Sequence, residues 1–266
     1  MPTPKTKTVL ITVKAPPNPS KKYQEINCCA GIDLSTGKWI RLYPIPFRLL
    51  DYDKQFPKYS VISVKCQRPP RDKRVESYKV DQDSIKILRH LGTQNKWAER
   101  KNIVLPTLSP SFCTILDEVS LNKSLGIFKP IDIKFEIKKS VPKDEKKRRA
   151  AYDQYRLFDK KLKPVEHVPF SFYYRFNCRN FPDCPGHKLM MHDWELMEAY
   201  RRWRHKYADQ PLLLDKIREK WLDTLCAPTK DTYFYVGNMW RHPKQFMVLG
   251  VFYPPKSPPS LFKDEI

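Results

Sequence analysis

The chain of 266 residues allows one large domain or two of ordinary size, and its 41% hydrophobic and 13% aromatic content supplies a core that a disordered chain lacks. Lysine and arginine number 50 against 29 acids, a net charge of +21 whose self-repulsion calls for a polyanionic partner. Only 7 glycines occur, with neither G-x-G-x-x-G nor G-x-x-x-x-G-K-[ST], which excludes dinucleotide oxidoreductases, kinases and P-loop ATPases.

The first residues lack an apolar signal region, and no run reaches the ~20 apolar residues of a membrane helix, so the expectation is a cytoplasmic protein with no membrane partner. Its seven cysteines are then read as core thiols or metal ligands rather than disulfides.

In chain order, Thr8–Lys14 is β-branched and predicts a buried strand, followed by a proline-rich loop over Ala15–Lys22. Asn27–Asp33 and Lys38–Tyr43 flank Ser35-Thr36-Gly37 and predict a hairpin. On its second arm Trp39, Arg41 and Tyr43 share one face, a candidate platform for stacked bases with a cation beside it. Tyr59–Gln67 alternates as a strand, Arg68–Arg74 is an exposed basic loop, Asp83–Leu91 reads as a helix, and Ile131–Lys138 alternates again. The first ~140 residues thus form a β-rich, barrel-like, OB-like part.

A helix is predicted from Asp144 to about Phe158, carrying Lys146, Lys147, Arg148 and Arg149 as a phosphate-tracking ridge within a 141–165 linker. Residues 166–266 read as a smaller α+β part. It contains an aromatic strand over Pro169–Arg175, helices over Asp193–Tyr207 and Pro211–Cys226, and a closing pair of strands over Thr232–Val236 and Phe246–Tyr253. Arg201 and Arg204 late in the first helix, and Trp240, Arg241 and Lys244 in the last loop, are further candidate nucleic-acid contacts.

Cys178, Cys184, His187 and His192 form C-x5-C-x2-H-x4-H, a set of thiolates and imidazoles suited to tetrahedral zinc that would pin the loop to the following helix. The first gap is wide, so Cys226, Cys66 or one of Cys28 and Cys29 is an alternative fourth ligand. A nucleic-acid enzyme is the competing reading. Asp193 and Glu195 with His187 would serve a metal nuclease, and Asp33 near Trp39 and Tyr43 a base-excising glycosylase.

The segment Cys28–Arg48, through Ala30, Gly31, Gly37, Lys38, Trp39, Ile40 and Arg41, resembles the dual OB-fold domains of prokaryotic DNA-associated and conflict-system proteins, departing from their pattern at Leu42-Tyr43-Pro44. The resemblance implies a pair of β-barrels that grip nucleic acid, DNA in preference to RNA, in a defence or DNA-repair setting.

Overall fold

The computed structural model describes residues 3–20, 22–141, 162–179 and 181–256. The architecture is α+β, with more sheet than helix, as expected. Strands β1 (Lys5–Lys14), β3 (Gln24–Asp33), β4 (Lys38–Ile45), β6 (Ser77–Val80) and β5 (Ser60–Gln67) pair in that order, and β5 returns to β1 to close a five-stranded barrel. The short β2 (Asn18–Ser20) lies on β3, and β7 (Lys86–His90) on β5. Alternation builds this ring. Val9 and Ile11 of β1 point into the barrel core with Ile40, Leu42, Ile62 and Val64, while Leu10, Ala30, Ile32 and Val61 point out of it.

The predicted hairpin is β3–β4. Asp33 Oδ1 accepts from Ser35, and the Gly37 N–H returns to the Asp33 carbonyl with φ at +67°, a conformation that favours glycine. The predicted helix over Asp83–Leu91 is instead β7. Ile85 and Leu91 are buried anchors at its ends, and the backbone between them pairs with the free edge of β5. That pairing outweighs the local helical preference.

The C-terminal half repeats the strand order of the first. β8 (Leu125–Phe128) runs through Lys129 into β9 (Pro130–Lys139); β9 pairs β10 (Phe170–Cys178), which pairs β11 (His187–Met190). A parallel bridge from Met191 to Val248 leads to β13 (His242–Phe252), which pairs β12 (Tyr233–Met239), which returns to β8. In both halves the first strand is shared between the second and fourth, and the third and fifth meet in parallel. The strand predicted over Ile131–Lys138 therefore pairs within the C-terminal half, although residues 1–140 had been grouped together.

Four α-helices are described: α1 (Gln94–Val104) and α2 (Phe112–Asp117), both missed in the sequence, and α3 (Trp194–Trp203) and α4 (Gln210–Arg218), inserted between β11 and β12. Asp193 and Asp209 cap α3 and α4 with their carboxylates. The second half of the helix predicted over Pro211–Cys226 widens into a π-type turn at Glu219–Thr224. The helix predicted from Asp144 lies outside the described residues. None of the described helices is long and apolar enough to cross a membrane.

Three cores result. One fills each barrel, the second dominated by rings such as Tyr174 stacked on Phe234 at 4.4 Å. The third lies between the halves and joins Leu10, Ala30 and Ile32 to Leu125, Ile127, Tyr235 and Leu249. Gly31 pairs with Ile11 beside the register shift between β1 and β3, and a Cβ there would fall 2.0 Å from the Leu10 carbonyl oxygen, which is backbone and cannot yield cheaply. Gly31→Ala is expected to destabilise the protein by about 3 kcal/mol, read as a lower urea midpoint at unchanged slope. An unchanged midpoint would contradict this packing of β1 on β3.

Candidate nucleic-acid cleft and metal centre

At one end of the second barrel, Cys113, Cys178, Cys184 and His187 bring their ligand atoms within 4.8 Å of one another. Cys113 rides on α2, whose start is capped by Ser111; Cys178 ends β10, Cys184 lies in the connecting turn, and His187 opens β11. Cys113 Sγ is 3.9 Å from Cys178 Sγ and 3.2 Å from His187 Nε2. Metal–sulfur bonds of about 2.3 Å and metal–nitrogen bonds of about 2.0 Å at tetrahedral angles give edges of roughly 3.5–3.8 Å, close to this arrangement. Phe112 and Phe176 pack on the His187 ring. The cluster could hold a metal ion.

Burial and the adjacent thiols push Cys113 up to about 12. Burial also raises Cys184, but the N–H groups of Cys178 and Gly186 outweigh it and draw this thiol below its usual range. Burial keeps His187 neutral, the form that ligates. A dication would remove the cost of ionising thiols in this apolar setting.

The fourth group is thus Cys113, not His192, Cys226, Cys66, Cys28 or Cys29. Because residues 187–190 are extended, His192 is carried about 16 Å along the chain from His187, too far to share an ion. Its backbone N–H donates to the Val248 carbonyl, and burial lowers its imidazole to about 4. Cys226 instead lies against the Tyr174 hydroxyl. No spacing pattern in the sequence links Cys113 to the cluster; Ser111, a cap residue two positions earlier, marks only the start of its helix.

A cleft of about 610 Å³ opens between the halves. The first half contributes Arg41 and Tyr43 of β4, the Pro69–Arg74 loop, and Tyr78 and Lys79 of β6. The second contributes Met190, His192, and the Asn238–Trp240 end of β12 with Met247 and Leu249 of β13. Trp39, Arg41 and Tyr43 do share the outer face of the barrel, but the second half covers most of it. Trp39 packs edge-on to Tyr235, and Arg41 is 4% exposed, whereas Tyr43 remains 44% exposed. Arg41 finds no direct carboxylate partner in Asp33 or Asp51. Its Nη2 donates to the carbonyl and hydroxyl oxygens of Ser124, and that serine donates its N–H and hydroxyl to Glu76.

Trp240 is 52% exposed at the tip of the β12–β13 hairpin, beside Arg241 and close to Lys244. Arg74 is paired with Asp72, but Arg71 and Lys79 make no ion pair among the described residues. The other candidates are elsewhere. Arg201 pairs with Glu198, and Arg204 with Glu166. Lys146, Lys147, Arg148 and Arg149 lie outside the described residues. Asp33 is held by Lys7 and Ser35, which outweigh its burial and lower its carboxyl. Glu195 pairs with Lys58 at 3.0 Å across the two halves, and burial raises the neighbouring Asp193 to about 7. With His187 in the thiol cluster, these carboxylates do not form the expected nuclease trio with it.

The chain belongs to the family described as Domain of unknown function (DUF8757), whose model matches residues 108–266; residues 5–106 match a second, Domain of unknown function (DUF8758). The two matches meet where the two strand rings divide. No curated protein matches the chain.

Elemental analysis of the purified protein is expected to find about one transition-metal ion per chain. Cys113→Ala should reduce it to background, while His192→Ala should leave it in place. Metal retained by the first variant and lost from the second would refute the assignment.

Proposed function

We propose that this protein binds nucleic acid in the cleft between its halves, with a zinc ion bound by Cys113, Cys178, Cys184 and His187 closing the second barrel. The observation that carries this reading is the pairing, in one cleft, of the exposed rings of Tyr43 and Trp240 with Arg71 and Lys79, which make no ion pair among the described residues, on a chain of net charge +21. Aromatic faces accept bases and cations track phosphates, the combination used by barrel proteins that bind single strands. The preference for DNA over RNA rests on the resemblance in Cys28–Arg48. The cytoplasm is the fitting compartment, since all seven cysteines are free and a reducing milieu keeps them so.

Three thiolates and one imidazole are a soft, closed donor set, which favours zinc in a structural role. The metal's contribution is to tie α2 to the β10–β11 connection. Because the buried Cys113 thiol must lose its proton to ligate, zinc affinity should fall as pH drops from 7 to 5, measured by competition with a chromogenic chelator. A pH-independent affinity would speak against thiolate ligation.

Affinity for DNA oligonucleotides should fall steeply with salt. Replacing Arg71 and Lys79 together by alanine should reduce the log–log slope by roughly 1–2, the loss of one or two phosphate contacts. A protein that ignores both DNA and RNA at low ionic strength sinks the reading.

A further inference from the structure

We infer that the cleft is a pocket for one unstacked nucleobase, so that the bound strand turns a base into the protein rather than laying its backbone along the groove. The inference rests on the nucleic-acid reading above and specifies what occupies that site.

The first support is the grading of the lining. Trp240, Tyr43, Arg71 and Lys79 are exposed and form the mouth, whereas Arg41, Asn238 and Leu249 are buried and form the floor. Charge free to meet a phosphate is therefore at the mouth. The walls between are largely apolar and include the half-buried Met190 and Met247, with Met239 exposed beside Trp240. A phosphate moved into such walls would lose its hydration without recompense, while the two faces of a base are matched by rings and thioethers. The volume of about 610 Å³ lies in the range of pockets that enclose small ligands.

The second support is unmet polarity in the floor. Arg41 Nε, a donor, and Asn238 Oδ1, an acceptor, are buried without a hydrogen-bond partner among the described residues. Their other groups are engaged: the Arg41 guanidinium with Ser124, and Asn238 Nδ2 with the Pro243 carbonyl. A buried group left unpaired is costly, and a donor and an acceptor are what the Watson–Crick edge of an unpaired base requires, since that edge carries both in every base. Both residues line the cleft, so the two buried atoms lie on the side of the floor from which a base edge would approach.

The test compares a thymidine strand of roughly 12 nucleotides with a strand of the same length made only of abasic sugar-phosphate, each titrated into the full-length protein. The wild type is expected to bind the intact strand about tenfold or more tightly, the scale of one stacked base. Met247→Trp, which fills the pocket, should abolish that preference, bringing the affinity for the intact strand down to that for the abasic strand. Should Met247→Trp fail to fold, Trp240→Ala on the exposed hairpin tip must weaken the same preference. Equal wild-type affinity for the two strands overturns the pocket and leaves the nucleic-acid reading standing, whereas no binding of either at low salt removes that reading itself. Thymidine monophosphate binding as tightly as the strand would also overturn the inference, by making the pocket a site for free nucleotide.

Discussion

Between β4 and the start of β8, Arg41 is buried against Ser124, and Ser124 in turn donates two hydrogen bonds to the buried Glu76. A positive and a negative charge, each nearly sealed from water, balance across one serine. Breaking such a buried chain of bonds would strand charge away from water, so the arrangement tolerates little displacement of one half against the other. Ser124 fixes where β8 starts, and β8 shares the first-strand position of the second barrel with β9. Arg41 lies two residues before Tyr43. The position of the second barrel and the opening of the cleft thus hang on the same contact.

The surrounding core explains why that contact is found there. Each barrel fills its interior with one parity of its strands and turns the other parity toward its neighbour, so the outer face that would have been a solvent-facing platform in an isolated barrel becomes a mostly apolar seam. Only at the margin of the seam do Tyr43 and Trp240 remain open. The cleft is accordingly a product of two barrels meeting, and neither half contains it alone.

This accounts for how far the sequence could be read. The β3–β4 hairpin, the shared face of Trp39, Arg41 and Tyr43, and the capping of α3 by Asp193 follow from local alternation and turn chemistry, and they are visible to anyone reading the chain. What covers that face was not, because Tyr235 and Ser124 come from distant parts of the sequence. The metal cluster shows the same division. Cys178, Cys184 and His187 are close in the chain, while Cys113 arrives from 65 residues before Cys178 through the packing of α2. His192 fitted a compact knuckle and failed once β11 proved extended. Likewise β7 owes its conformation to the β5 edge rather than to its own residues. Many cations, such as Arg48, Arg89, Arg175 and Lys188, are held in ion pairs, so the charge total alone could not tell which positions face a ligand.

The β7 strand has a consequence for life in a crowded solution. It adds to the barrel at β5 and presents all five of its residues, Lys86 to His90, to water. A bare strand margin with two large aliphatic side chains is the kind of template onto which a second molecule could zip. Lys86 places a positive charge on that margin, and Arg89, salt-bridged to Glu99, adds a charged pair beside it, so an approaching strand must displace hydrated charge before its backbone can pair. At the place where the strands of the ring run out, an approaching edge therefore meets charge before it meets bare backbone.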